Sequence, residues 1–364
     1  MRGEQKLTKM KVCIVTVYNS ENCGSYWQAF ALSSYLKRNG CEVSFMRRKI
    51  KGTSHSLVFV GRQTLKWILK GKIEKAKAQI QQYLTFDELI KKFKIVEEID
   101  NTFDLCIIGS DTLWNLEDQY FEDNRAIFFG EKSKAKKTIT YAVSAANTPY
   151  NVFRKHFEIA DDLRKMDAIA VRDKYTNLIV EKLLGKVTPI VVDPTLLLEK
   201  QEYQKYCVDL NVGNFLFVYY FGLIPEDLQN KIKKYANQEK LKIVVMGHGM
   251  KGDYNLDAFS PPVFVSCFSK ADYIVTNTFH GVMFTLIFEK QAVFNSCGKE
   301  KVKDVMDEYG LNNRDYSGNE NIDLSNSNID YNRVRIKLNE NRLAAKESVS
   351  YTHLRAHETA ANLV

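Results

Sequence analysis

Short apolar runs alternate with longer amphipathic runs along most of this chain, and the alternation occurs twice. In the first series residues 11–17 read as a strand, 24–38 as a helix and 42–46 as a second strand. Further strands are expected at 104–108, 137–143, 168–171 and 189–192, with helices at 152–164 and 174–184. Gly185 suits the C-cap of the latter helix, because glycine takes the left-handed conformation without strain. A second series begins near residue 199, with strands at 215–221, 241–246, 273–275 and 291–294 and helices at 225–238, 281–288 and 331–346. Strands that alternate with helices imply parallel sheets covered on both faces. Two such series predict an α/β chain of two Rossmann-like domains facing a cleft, with ligands at the C-terminal ends of the strands. The expected domains are 10–198, carrying a basic helical insertion at 57–94, and 199–347.

The 364 residues suffice for two full cores, and 45% hydrophobic with 26% charged residues describes a folded chain. The net charge is +8, with basic runs at Arg47-Arg48-Lys49-Ile50-Lys51 and from Lys66 to Lys77. These runs read first as a solvated face, and second as attraction for acidic ligands or a membrane surface. No zinc-finger spacing or basic zipper points to nucleic acid. Seven scattered cysteines include no CxxC pair, so no metal site is expected, and buried free thiols suit a reducing cytoplasm. No apolar run is long enough for a membrane span. Residues 1–9 read as a leader or misplaced start, and 348–364 (SVSYTHLRAHETAANLV) as a non-native tail that breaks the preceding helical pattern.

The polar residues gather where strands end. Tyr273-Ile274-Val275 is followed by Thr276-Asn277-Thr278, then by Phe279, His280, Gly281 and an apolar helix. An imidazole at a helix N-terminus sits where unpaired N–H groups and the helix dipole favour an anion. His280 could bind that anion, pass it a proton, or both; the alternative is a satisfied core histidine. His248, between two glycines, is a second candidate ligand. Arg172, at the end of Ala170-Val171, could clamp a carboxylate or phosphate, or simply pair with Asp173 or Asp193. Gly109-Ser110-Asp111-Thr112-Leu113-Trp114 offers a close backbone approach, a proton acceptor and an indole for stacking on a sugar. Its alternative is a helix cap with Trp114 in the core. The loop Asn22-Cys23-Gly24-Ser25 opens the first helix and could hold a phosphate or sugar hydroxyl, but it is neither GxGxxG nor a P-loop.

Taken together, KVCIVTVYNSENCGSYWQAFAL, FDLCIIGSDTLWN, TITYAVSAAN, AIAVRDKYT, VVDPTLLL and DYIVTNTFHGVMFTLIFEKQAVF resemble the polysaccharide pyruvyl transferase family from about Lys11 to Phe294. The resemblance implies a fold similar to B-type glycosyltransferases. It also implies transfer of pyruvate from phosphoenolpyruvate to two hydroxyls of a cell-envelope glycan or its lipid-linked precursor, forming a cyclic ketal. No cofactor or metal is implied. The family's strand-end arginine corresponds to Arg172 and its His-Gly pair to His280 and Gly281. Several members carry a basic residue where this chain has Thr278, and Arg172, Lys174 or helix N–H groups would have to supply that charge. In this reading the catalytic residues are His280, Arg172 and Asp111. Arg172, Thr278, His280, Gly281 and His248 bind the donor. Asn22, Gly24, Ser25, Ser110, Asp111 and Trp114 bind the acceptor. The rival readings are a nucleotide-sugar glycosyltransferase and an inactive glycan-binding relative. The expected location is the cytoplasm, with the inner membrane face as the surface on which basic runs would dock.

Overall fold

In the computed structural model, which describes residues 9–20, 22–48, 57–118, 122–247, 249–256, 258–326 and 328–361, the two series form two parallel sheets. The first contains β1 (Lys11–Val15), β2 (Glu42–Met46), β3 (Ile95–Val96), β4 (Leu105–Ile108) and β5 (Thr138–Thr140), ordered β3-β2-β1-β4-β5. The second contains β6 (Phe215–Tyr220), β7 (Lys242–Gly247), β8 (Tyr254–Leu256), β9 (Tyr273–Thr276) and β10 (Gln291–Phe294), ordered β10-β9-β6-β7-β8. Counted from its own first strand, each sheet has the same doubly wound order, which reverses between β1 and β4 and between β6 and β9. Ligands of such sheets lie at that reversal, because the two crossovers diverge there and leave a crevice. Every position of β4 (LCII) and β6 (FLFVYY) is buried, as continuous apolar strands between two helical layers must be.

The first half carries α1 (Cys23–Arg38), α2 (Leu57–Leu69), α3 (Ile73–Ile90), α4 (Arg125–Phe128), α5 (Tyr150–Phe153), α6 (Phe157–Arg164) and α7 (Lys174–Leu184). The second carries α8 (Lys200–Gln204), α9 (Glu226–Gln238), α10 (Pro261–Lys270), α11 (Phe279–Ile287), α12 (Glu300–Tyr309) and α13 (Tyr331–Ala361). The expected insertion is thus the hairpin α2–α3, and Gly185 caps α7 with φ 70. The expected helix 152–164 is broken between α5 and α6, where His156 leaves helical geometry (φ −117, ψ 71). The strands expected at 168–171 and 189–192 shrink to single bridges such as Val171–Ile190. Pro189 has no N–H to continue that ladder. The strands β3 and β8 and the helices α10 and α12 were not legible as separate elements. Helix α13 continues past residue 348, where the sequence pattern predicts a break. Residues 1–8, the basic run's Lys49, Ile50 and Lys51, and His248 lie outside the described residues.

An aromatic seam joins the halves. Trp27 of α1 is fully buried and donates from Nε1 to the Pro261 carbonyl at 3.1 Å. Its ring meets Tyr203 edge-on at 5.4 Å, and Tyr203 meets Phe284 of α11 at 5.2 Å. Such pairs add about 0.5–1.5 kcal/mol each beyond their burial. From α13, Arg342 donates to the carbonyls of Leu196 and Leu198 in the interdomain linker. The two halves are thus joined by packed, hydrogen-bonded material.

Candidate active site

Both topological reversals open into one interdomain pocket of about 720 Å³. The first sheet contributes Asn22, after β1, and Asp111, after β4. The second contributes Phe221, after β6, and Asn277 to His280, after β9. Arg172 reaches the same space from the end of its short bridge.

His280 occupies the first turn of α11, whose N-cap is Thr278, and Thr278 Oγ1 accepts the Gly281 N–H at 2.9 Å. The imidazole extends toward the other domain. Its Nε2 is 4.0 Å from Asp193 Oδ2, beyond hydrogen-bond range, and is buried with no partner among the described residues. Arg172 donates from Nη1 to Asp193 Oδ2 at 3.2 Å, and its guanidinium lies 4.3 Å from the Phe279 ring centroid. Its Nε is also buried and without a partner among the described residues. Asp193 is itself completely buried and is held by Thr195, whose N–H and hydroxyl donate to Oδ1 at 3.0 and 2.8 Å. Two residues that line one pocket therefore each keep a buried nitrogen without a hydrogen-bond partner among the described residues. A native protein avoids that cost unless a ligand or water completes the bonding.

Electrostatics sharpen the asymmetry. Burial works against ionisation of Asp111, but the charges of Arg172 and His280 and bonds from Ser25 and the Thr112 N–H outweigh it, holding the carboxyl below its ordinary range. A carboxylate so stabilised takes up a proton poorly and is better suited to orienting a hydroxyl than to deprotonating one. Burial pushes His280 down, with Arg172 and Lys301 adding to that effect against the opposing pull of Asp193 and Asp111. Burial likewise lowers Lys301, followed by repulsion from Arg172. Lys299 and Lys301 both line the pocket, and Lys299 donates to the Asn277 carbonyl at 3.0 Å. With Arg172 they form a cationic wall that would welcome an anion of more than one charge.

These lysines follow β10 in the run Gly298-Lys299-Glu300-Lys301, and the sequence reading missed them. The available signal was a glycine and two cations just beyond an apolar strand. Lys174, named as a source of compensating charge, instead points outward and lies 3.9 Å from Asp304.

Several expected ligand contacts prove to be supporting ones. Trp114 is fully buried, stacks on Phe129 and donates from Nε1 to the Phe128 carbonyl at 3.0 Å, so it is not a sugar platform. Ser110 is also fully buried, and its hydroxyl donates to Gln28 Oε1 at 2.8 Å. Gln28 in turn ties Thr16, Val17 and Ser25 together, a buried network that sequence spacing did not reveal. The Ser25 hydroxyl donates to Asp111 Oδ2 at 2.6 Å and so aims the carboxylate. Asn22 caps α1 by accepting the Gly24 N–H at 2.9 Å while also bordering the pocket. Thr278 lines the pocket, but its hydroxyl is engaged as the α11 cap. At Gly281 a Cβ would stand 2.1 Å from Thr276 Oγ1, so this glycine serves the cap geometry.

Gly24 has a different task from the acceptor contact expected of it. A Cβ built there would lie 2.2 Å from His280 Nδ1. The imidazole crosses the domain boundary through the space a side chain would fill. Gly24→Ala is therefore expected to displace His280 by roughly an ångström and lower activity about 10²-fold. The check is a turnover assay on a variant whose circular dichroism matches the parent; undiminished turnover would show that the ring's placement is unimportant.

Two doubly wound parallel sheets with a pocket lined by Arg172, Lys299 and Lys301 at their reversal points define a two-domain Rossmann-like protein. The family model described as polysaccharide pyruvyl transferase matches residues 22–296, and the chain belongs to that family. No curated protein matches it in sequence. Among solved structures it is similar to UDP-N-acetylglucosamine 2-epimerase from Rickettsia bellii, at 11% identity over 98% of this chain and 99% of that one, TM-score 0.48. A functionally uncharacterised protein from Klebsiella pneumoniae is similar at 14% identity over 85% and 91%, TM-score 0.47. A UDP-forming α,α-trehalose-phosphate synthase from Burkholderia vietnamiensis is similar at 9% identity over 96% and 100%, TM-score 0.46.

Proposed function

We propose that the protein transfers the pyruvyl group of phosphoenolpyruvate to two hydroxyls of a sugar, forming a cyclic ketal and releasing phosphate. The observation that carries this reading is that Arg172 and His280, each with a buried nitrogen lacking a hydrogen-bond partner among the described residues, line a pocket together with Lys299 and Lys301. A small donor bearing both a carboxylate and a phosphate matches that concentration of cations. The family membership supports the same direction.

The chemistry divides among the residues as follows. A proton is added to the donor's methylene carbon, giving a methyl group and an oxocarbenium-like centre at the adjacent carbon. One sugar hydroxyl bonds to that centre and its proton restores the acid; the C–O bond to phosphate then breaks, and a second hydroxyl bonds to the same carbon and closes the ring as its proton passes to the departing phosphate. His280 delivers the proton or holds the phosphate. Arg172 and the two lysines balance the donor's charge as it shifts toward the departing phosphate. Asp111, ionised and aimed by Ser25, orients the attacking hydroxyl. Imidazole burial leaves His280 mostly neutral in the free protein; the arriving anion offsets Arg172 and Lys301 and raises its proton affinity. The acid form is thus generated by donor binding.

The test is thermal unfolding with phosphoenolpyruvate, in parallel with UDP, GDP and CMP sugars. A ligand at one hundred times its dissociation constant adds about 2.7 kcal/mol of stability. Stabilisation by phosphoenolpyruvate, lost in His280→Ala, is the expected result. Stabilisation by a nucleotide sugar alone would replace this reading with glycosyl transfer.

A further inference from the structure

The hairpin α2–α3 has two unlike faces. Its inner side contributes Gln63, Trp67, Gln79 and Gln82 to the wall of the interdomain pocket. Gln82 Nε2 also donates to the Phe259 carbonyl at 2.8 Å, fastening the hairpin to the second half. Its outer side carries Leu65, Ile68 and Leu69 on α2, and Ile73, Ile80 and Leu84 on α3. All six are exposed, Leu69 at 79%, and they are six of the sixteen large hydrophobic side chains exposed among the described residues. The other ten are spread along the rest of the described sequence, whereas these six fall within twenty residues. On α3 the spacing 73, 80, 84 keeps them on one helical face.

Exposed cations are interleaved with these aliphatic residues, Arg62, Lys66, Lys70 and Lys77, against the single acid Glu74 between 62 and 77, while Lys75 lines the pocket and Lys72 lies over the Trp67 ring. A water-facing helix pair has no need of six exposed aliphatic side chains, and an interface with a second copy would press two strongly basic hairpins together. A surface that is apolar beneath and negative at its boundary matches both features at once. We infer that the outer face of α2–α3 docks on an anionic phospholipid surface. The aliphatic side chains enter the headgroup boundary and the basic ones meet lipid phosphates. No described helix is long and apolar enough to cross a membrane, so the contact is one of lying on the surface. Because the inner face of the same hairpin walls the pocket, docking sets the pocket beside the lipid. Its use there, taking a sugar acceptor carried on a lipid, rests on the proposed transfer; the docking itself does not.

The test is co-sedimentation of the full chain, without donor, with vesicles of phosphatidylcholine alone or of equal phosphatidylcholine and phosphatidylglycerol. Binding to the second vesicles only, weakened by salt, is the expected result. Each surface cation contributes about a fivefold factor, so Arg62→Gln/Lys66→Gln/Lys70→Gln should weaken partitioning on the order of a hundredfold. Leu69→Ser/Ile73→Ser should weaken it as well, with circular dichroism unchanged, since both side chains are exposed. No binding of the parent protein to phosphatidylglycerol vesicles would overturn the inference, as would binding that neither variant alters. A parent dimer that Leu69→Ser/Ile73→Ser dissociates, without vesicle binding, would assign the face to a second copy instead. Donor-free binding and phosphate release are separate readouts, so either can fail without the other.

Discussion

Replacing His280 with alanine is expected to lower release of phosphate from phosphoenolpyruvate by about 10²–10⁴-fold, the range set by losing a positioned proton donor. The fold should persist, because Nε2 makes no hydrogen bond among the described residues and its loss orphans no partner. The pH profile adds a second readout. In the free protein, burial holds the His280 pKa below its ordinary value of about 6.5. If the protonated ring is the acid, kcat/KM falls as pH rises through that depressed value, tenfold per pH unit above it. The kcat limb, which reports the donor complex, lies at higher pH because the bound anion favours the imidazolium. His280→Gln should abolish both limbs. Turnover of His280→Ala within a few-fold of the parent, with an unchanged profile, would remove the residue from the chemistry.

Arg172→Ala is expected to damage stability and donor binding together. Its Nη1 is the guanidinium contact to the completely buried Asp193, and removing it leaves a carboxylate in the interior without its cation. Breaking a buried pair in this way costs about 3–5 kcal/mol, a fall in Tm on the order of 10 °C. Arg172→Lys separates the two roles. It restores a positive charge opposite Asp193 and recovers part of the stability. It cannot reproduce the planar fork that presents Nε to the pocket while Nη1 holds Asp193. Thermal unfolding should therefore rank Arg172→Lys between the parent and Arg172→Ala. Phosphoenolpyruvate-induced stabilisation should be lost in both. Retained donor stabilisation in Arg172→Ala would confine Arg172 to a structural role.

The strand-end motifs were legible because each is local. Thr278, His280 and Gly281 are consecutive with the strand and helix that carry them, and their order alone places an imidazole at a helix start. Arg172 and Asp193 could be paired on paper because both end runs in the same half, and the structure joins them. Trp114 could not be settled in this way. An indole after a strand is equally compatible with a ligand platform and with a core, and only the position of Phe128 and Phe129 decides for the core. Lys299 and Lys301 carry only a weak local signal, two cations after a glycine beyond an apolar strand. Nothing in their own neighbourhood says that the loop after β10 turns back toward His280 and Arg172.

From its sequence alone this chain determines two doubly wound α/β halves, the polar turns that end their strands, and a family whose motifs it carries in order. These depend on apolar periodicity, turn chemistry and capping, which act over a few residues. Tertiary structure alone decides that Gly24 clears the space for His280 from the opposite domain, that Ser25 aims Asp111, and that Lys299 and Lys301 line the same pocket as Thr278. Those relations arise between separate elements, up to a few hundred positions apart for Gly24 and His280, and burial there sets the proton affinities on which the proposed chemistry depends.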